Sequence, residues 1–268
     1  MRNPKPLLSI VIATFNEEKN IKDCLKSIKD IADEIIIVDG QSTDKTPQIA
    51  KKMGATIISV PNKPDDFHAN KQLGIDKAKG EWILQLDADE RVTKPLAKEI
   101  ESLIKSNTVL EGYAIPRKNW FLGRFLTKGG AYPDPVVRLF KQGKGSFSNQ
   151  TIIDNSITTS NVHAQIQIAS EVGILTQDLI HYGDLEIERY LKRLNRYTTL
   201  EAENLQKLGF ETNLVKSIDY LVAKPIYWFF KRYLRHRGYV DGFQGFLFAL
   251  LSALHYPIIY LKIWEKTK

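Results

Sequence analysis

The stretch Gly80-Glu81-Trp82-Ile83-Leu84-Gln85-Leu86-Asp87-Ala88-Asp89 decides how this chain folds. Trp82–Leu86 is a short apolar run that starts after a glycine and ends at a carboxylate. It reads as a strand covered on both faces. Towards the N-terminus the pattern recurs in Leu7–Ala13, Glu34–Val38 and Thr56–Val60. Between these runs lie segments of helical period. Glu17–Ile28 carries Ile21, Leu25 and Ile28 on one face, with Asn16 as its N-cap. Thr43–Met53 is closed by Gly54, and Asp66–Ala78 by Gly80. Thr93–Lys105 is a fourth helix. Strand–helix alternation with short connections predicts an α/β fold with a doubly wound, mostly parallel sheet. Such sheets bind ligands beyond the carboxyl ends of their strands. Polar clusters stand there at Thr14–Glu18, Asp39–Thr46, Pro61–Asp66 and Asp87–Arg91.

Asp87 and Asp89 are two residues apart. On an extended backbone both carboxylates face one space. Two hard oxygen donors at a strand end suit Mg²⁺ or Mn²⁺, which completes its shell from water and substrate phosphates. A helix N-terminus would give the same acids a merely structural use. Asp39 ends the second strand and can accept from a nucleobase N–H or a ribose hydroxyl, and Gly40 beside it allows close approach. Thr43 and Asp44 read as helix-capping residues. Thr14 ends the first strand. Glu17 either reaches a base or sits in the first helical turn. Lys71 either meets a diphosphate or is a surface lysine.

The chain has 268 residues, 43% hydrophobic and 26% charged, which is ordinary for a globular protein. Met1–Pro6 is short and polar, and Leu7–Ala13 is too short for a signal peptide's apolar region or a membrane span. Cys24 is the single cysteine, which excludes an internal disulfide and suits the cytoplasm. No G-x-G-x-x-G, G-x-x-x-x-G-K-[ST], G-x-S-x-G or Cys/His cluster is present, so dinucleotide, P-loop, hydrolase and zinc readings fall. Residues 221–268 hold +6 of the net charge of +7. Arginine and lysine mixed with aromatics there, as in Trp228–Arg237, favour an anionic membrane surface as partner over a helical subdomain packed on the catalytic core or on another subunit. No recognised module supports nucleic acid. Glu186–Leu208, Asn213–Tyr233 and Asp241–Trp264 read as helices. Phe246–Leu261 falls short of the roughly twenty residues that span a bilayer.

Residues 7–46 and 80–91 resemble family 2 glycosyltransferases of the GT-A fold. Residues 112–142, with Gly-Gly-Ala-Tyr-Pro-Asp and Arg-Leu-Phe-Lys, are similar to a bacterial subgroup that includes lipopolysaccharide-core glucosyltransferases. Tyr190, Asn195, Tyr197 and Lys224-Pro225 extend that similarity. The resemblance implies a metal-dependent, inverting hexosyl transfer from a nucleotide-diphosphate sugar, a UDP-sugar, to a lipid-linked or cell-envelope glycan acceptor. It implies a cytoplasmic enzyme peripheral at the inner face of the membrane. Carried over, Asp39 binds the nucleobase, Asp87 the ribose or diphosphate, and Asp89 the metal; Thr14, Asn16, Glu17 and Lys71 are further donor-site candidates from their own places at the strand ends and on the third helix.

One departure concerns the base. The subgroup shows Val-His-Glu where this chain has Val162-His163-Ala164. Alanine cannot remove the acceptor's proton, so Asp134 is the first candidate and Glu171 the second. His163 has a suitable pKa but equally serves as a hydrogen-bonded cleft residue. The domain reading is a GT-A catalytic domain over 1–183, with a nucleotide-sugar half (1–110) and an acceptor half (111–183), then a helical, membrane-interface region over 184–268. The alternative is a non-catalytic nucleotide-sugar-binding protein that scaffolds envelope glycan assembly.

Overall fold

The computed structural model describes residues 6–62, 67–106, 108–147, 150–153, 156–159 and 165–267. The elements, in chain order, begin with β1 (Leu8–Thr14), α1 (Ile21–Ile28), β2 (Glu34–Asp39), α2 (Thr46–Lys52), β3 (Thr56–Ser59), α3 (Phe67–Lys77), β4 (Trp82–Asp87), β5 (Glu90–Val92) and α4 (Lys94–Ile104). Ten more strands follow: β6 (Gly112–Ile115), β7 (Arg117–Phe121), β8 (Arg124–Phe125), β9 (Val136–Lys141), β10 (Gly145–Phe147), β11 (Gln150–Ile153), β12 (Ser156–Thr159), β13 (Ile166–Ile168), β14 (Gly173–Ile174) and β15 (Leu179–Asp184). The chain ends in α5 (Ile187–Lys207), α6 (Leu214–Ile218), α7 (Lys224–Phe230) and α8 (Gly242–Lys266). These elements form two compact units, residues 1–117 with 135–181, and residues 118–134 with 182–268.

The first unit is built on a seven-stranded sheet in the order β14-β6-β9-β4-β1-β2-β3. β3, β2, β1 and β4 are parallel, and β9 runs against both its neighbours, β4 and β6. The chain winds outward from β1 to β3, then returns to β4 on the other side of β1. The order therefore reverses between β1 and β4, where open sheets of this kind leave a ligand crevice. Pairing of Thr14 with Asp39 and of Ala13 with Asp87 brings the carboxyl ends of β1, β2 and β4 level.

Alternation along the strands divides the core. Leu8, Ile10, Ile12, Leu84 and Leu86 pack with Ile21, Leu25 and Ile28 of α1 and with Leu96 and Ile100 of α4. Val11, Ile36, Val38 and Ile83 pack on the opposite side with Ile75 of α3 and Phe140. Burying each such side chain stabilises by about 1.5–3 kcal/mol. Cys24 is fully buried in the first cluster, and burial pushes its thiol pKa up.

Several local expectations are corrected. Asn16 is not the N-cap of α1: it takes a left-handed conformation (φ 56°), and the helix starts at Ile21. The side chain of Asn16 instead accepts from the Thr43 N–H at 2.8 Å, tying two loops together. Thr43 and Asp44 precede α2, which begins at Thr46, although Asp44 does accept from the Thr46 N–H at 2.9 Å. Gly54 closes α2 as expected, with φ 87°. Gly80 is no helix cap. Its N–H donates to Ser9 Oγ at 2.8 Å, and a Cβ there would lie 2.6 Å from the Ser9 backbone nitrogen.

In the second unit the expected helix over Asn213–Tyr233 is segmented. Wide π-helical turns at Asp219–Ala223 and Lys231–Arg235 flank α7. The first precedes Pro225, whose ring and missing N–H disfavour a regular helical turn before it. α8 is one continuous helix of 25 residues with Pro257 inside it. Its inner face holds the buried Gly245, Ala249, Ala253, Ile259 and Ile263.

Gly80→Ala should lower stability by about 1–3 kcal/mol, since the new methyl meets backbone that cannot move aside. Urea unfolding followed by circular dichroism measures this.

Candidate functional site

Three strand ends build the site. At β1 and β2, Thr14 Oγ1 donates to Asp39 Oδ1 at 2.9 Å, and Ser42 donates to Asp39 through its N–H (2.9 Å) and its hydroxyl (2.6 Å). A carboxylate has about four acceptor positions, and these bonds fill three on Asp39. One remains for a donor such as a base N–H. Asp39 is only 2% exposed, so the carboxylate is held in one orientation before any ligand arrives. Glu17 is tied to the same loops: its N–H donates to Thr46 Oγ1 at 2.8 Å, and its carboxylate accepts from Asn20 Nδ2 at 2.7 Å.

At β4 the chain places a dense cluster of charge. Lys71 Nζ of α3 lies 2.5 Å from Asp87 Oδ1, and Arg138 Nη2 of β9 lies 2.7 Å from Asp87 Oδ2. The same Nη2 is 2.7 Å from Glu90 Oε1, Arg117 Nη1 is 3.7 Å from that oxygen, and Arg138 Nη1 donates to Gln85 Oε1. Glu90 Oε2 accepts the Asp87 N–H at 2.9 Å, which closes the turn after β4. Arg91 Nη1 holds the turn from outside, at 2.8 Å from the carbonyls of Ala88 and Glu90. Lys71 is therefore not a surface lysine: it is 7% exposed and paired. Burial alone would raise the Asp87 carboxyl, but Arg138 and Lys71 outweigh it and hold the group well below the usual carboxylate range. Burial works against the charged form of Arg138, and Asp87 and Glu90 more than restore it. The Asp87 side chain is still 28% exposed, so a ligand can reach it.

The two aspartates do not share an extended backbone. β4 ends at Asp87, and residues 88–89 form a turn. Asp89 Oδ2 lies 3.7 Å from His181 Nε2, brought alongside because β15 pairs His181 with Glu90 of β5. That separation is too long for a hydrogen bond. It falls between the spacings of about 3.0 and 4.2 Å that adjacent and opposite ligands take around an octahedral ion with bonds near 2.1 Å. Among the described residues no three His, Cys, Asp or Glu side chains converge on one point. Asp89 and His181 present an oxygen and a nitrogen donor beside each other, and a divalent ion held there would draw its other ligands from water and phosphate. Both Asp87 oxygens already face cations, so Asp87 fits the set less well.

The candidate bases fall in different units. Asp134 Oδ2 accepts from Asn119 Nδ2 at 2.9 Å in the second unit. Glu171 is exposed between β13 and β14 in the first. His163 and Ala164 lie outside the described residues. Arg138, Glu90 and His181 escaped the reading of the sequence. Arg138 left one trace, a cation in the middle of the apolar run Val136–Phe140.

The sequence model of the family described as Glycosyl transferase family 2 matches residues 9–157, more than half of the chain. An uncharacterized glycosyltransferase of Rickettsia bellii is 32% identical over 250 residues, which cover 92% of this chain and 82% of that protein. The lipopolysaccharide core biosynthesis glycosyltransferase LpsC of Rhizobium meliloti is 26% identical over 267 residues, covering 98% and 94%. Among solved structures, glucosyl-3-phosphoglycerate synthase from Mycobacterium tuberculosis, in complex with Mn2+, uridine diphosphate and glucosyl-3-phosphoglycerate, is similar over 43% of this chain and 44% of that chain, at 23% identity and a TM-score of 0.35.

Arg138→Gln leaves Asp87 and Glu90 buried with less compensation and should destabilise by about 3–5 kcal/mol in urea unfolding. Because the folded pKa of Asp87 is depressed, its contribution is complete above the unfolded value of about 4 and is lost as pH falls through the depressed one. Asp87→Asn should therefore flatten the stability–pH profile below about pH 4, read from unfolding midpoints in acid.

Proposed function

We propose that this chain, which belongs to glycosyl transferase family 2 and has the GT-A fold, moves a hexose from a UDP-sugar to a lipid-linked or cell-envelope glycan acceptor with inversion. The observation that carries the reading is the alignment of three prepared groups at the carboxyl ends of β1, β2 and β4. These are the Thr14–Asp39 pair, the Lys71–Asp87–Arg138 cluster and the Asp89–His181 pair. The LpsC similarity supports an envelope glycan as acceptor.

Asp39 receives the base through its remaining acceptor position. Lys71 turns from Asp87 to the diphosphate, exchanging one anion for another, while Arg138 keeps Asp87 ionised and in place. Asp89 and His181 would hold Mg²⁺ or Mn²⁺, which would offset charge developing on the leaving diphosphate. The acceptor oxygen bonds to the anomeric carbon as the bond to the diphosphate oxygen breaks, UDP departs, and a carboxylate takes the acceptor's proton. Asp134 serves as that base, with Glu171 as second candidate.

The helical region 184–268 is read as the part that rests on the cytoplasmic face of the membrane. Exposed apolar side chains recur along α6–α7 and the turn after it at Leu214, Ile218, Val222, Ile226, Phe230 and Leu234, and along α8 at Phe243, Leu250, Leu254 and Leu261. Monomeric soluble proteins rarely expose apolar surface on this scale.

Purified protein incubated with UDP-glucose and Mn²⁺ or Mg²⁺ should release UDP. Release should stop with EDTA and fall at least about 100-fold in Asp89→Ala, on the order of 3 kcal/mol of transition-state stabilisation, with unfolding midpoint unchanged. Metal-dependent donor binding without turnover on any lipid acceptor would favour the non-catalytic scaffold. No nucleotide-sugar binding would sink both.

A further inference from the structure

We propose that Arg232, His236 and the Gly129-Gly130 loop form a binding site for a phosphate group, carried by a lipid at the membrane surface. All of these residues belong to the second unit, and the proposal stands whether or not the chain transfers sugar.

Arg232 lies in the π-helical turn after α7 and is largely buried against aromatic rings, its guanidinium carbon 4.9 Å from the Phe248 ring and 6.0 Å from that of Trp228. It makes one hydrogen bond, from Nη1 to the Gly129 carbonyl at 3.1 Å. Among the described residues it has no ion pair, and its buried Nε has no hydrogen-bond partner. Burial pulls its pKa below the ordinary arginine value, opposed only by the hydroxyls of Tyr190 and Tyr256. The nearby buried carboxylate is committed elsewhere. Asp241 accepts from the Thr127 N–H and hydroxyl and from the Lys128 N–H, each at 2.8 Å, and pairs with Arg124. A buried guanidinium without a carboxylate is expensive unless an anion arrives, and its planar fork matches phosphate oxygens.

The surroundings suit that anion. Gly129 and Gly130 are both left-handed, at φ 69° and 72°, which only glycine adopts readily in succession. The Gly129 N–H donates to the His236 carbonyl, whereas the exposed Gly130 N–H donates to no described residue. A Cβ placed on Gly130 would lie 3.7 Å from Arg232 Nη1 and 3.9 Å from His236 Cγ, so a guanidinium and an imidazole flank the Gly130 backbone. The chemistry recognised is a phosphate. The exposed apolar residues Phe230 and Leu234 on the same segment favour a lipid as its bearer over a free ion.

The test uses full-length protein labelled with ¹⁵N at its 16 glycines, with Gly130→Ala assigning its own amide. Inorganic phosphate should shift the Gly130 amide saturably, with affinity about tenfold weaker in Arg232→Gln. Co-sedimentation with phosphatidylcholine vesicles, with and without phosphatidic acid, separates the sources. A lipid source predicts that phosphatidic acid retains the wild type and that Arg232→Gln loses that retention. A soluble source predicts the Gly130 shift with equal retention of both proteins. If Arg232→Gln loses its fold, His236→Ala takes its place and should weaken phosphate binding about threefold. A Gly130 amide that ignores phosphate, together with equal vesicle retention of wild type and the variant used, would overturn the site.

Discussion

One guanidinium governs the centre of this molecule. Arg138 stands on β9, the reversed strand, and bonds to the Gln85 and Asp87 side chains of β4 and to Glu90 at the start of β5. It does two kinds of work at once. It joins β9 to β4 with side-chain bonds where a reversed strand meets the parallel set. It also balances two carboxylates that would otherwise be buried together, a situation that raises one pKa or expels one group. With Arg138 in place Asp87 stays ionised, Lys71 is drawn in from α3, and the turn carrying Asp89 is locked through Glu90. The site is thus arranged by a charge network whose members come from five separate stretches of chain.

That arrangement explains why the position of the strand ends matters more than the acidic motif. Two aspartates separated by one residue would be unremarkable on a surface loop. Here the first ends a buried parallel strand beside the point where strand order reverses, and the second lies in the turn after it, beside His181. The backbone gives the two carboxylates different partners, and so different uses. Asp87 belongs with cations. Asp89 lies beside the His181 imidazole. Electrostatics divides the labour that sequence spacing alone would have merged.

The parallel strands β1 to β4 and the helices between them were legible in the sequence because each rests on local periodicity and short connections. Asp39 and Asp87 were legible because they end those strands, and Asp89 because it follows two residues after such an end. Arg138 and His181 were not, because they reach the site only through pairing of β9 with β4 and of β15 with β5, partnerships between segments far apart in sequence. Lys71 misled for a related reason: a lysine on a short helix is ordinarily solvated, and only the position of α3 over the sheet makes it a buried counter-ion. Gly80 misled because a glycine after a helix has two uses, a left-handed cap or a close approach, and sequence does not distinguish them. The π-helical turns around α7 lie beyond the reach of a 3.6-residue pattern by definition.

The end of the chain shows the same principle with the opposite outcome. α8 is apolar around most of its circumference, as a buried or bilayer-crossing helix would be. Gly245, Ala249 and Ala253 recur every four residues on its inner face, so neighbouring backbone can come close and the bulk of the helix is turned outward as Phe243, Leu250, Leu254 and Leu261. In the most apolar window of this helix only 33% of the residues are buried. A core helix of a soluble domain would be mostly covered, and a helix crossing a bilayer alone has no need of a small-residue face matched to partners in its own unit. An apolar outer face on a packed helix, next to a second segment with an apolar stripe and a cluster of lysine and arginine, is what supports the proposed placement at a membrane interface. In the proposed membrane placement, the aromatic rings and long cationic stems would lie at the headgroup level, with their charge in water and their carbon in the acyl boundary.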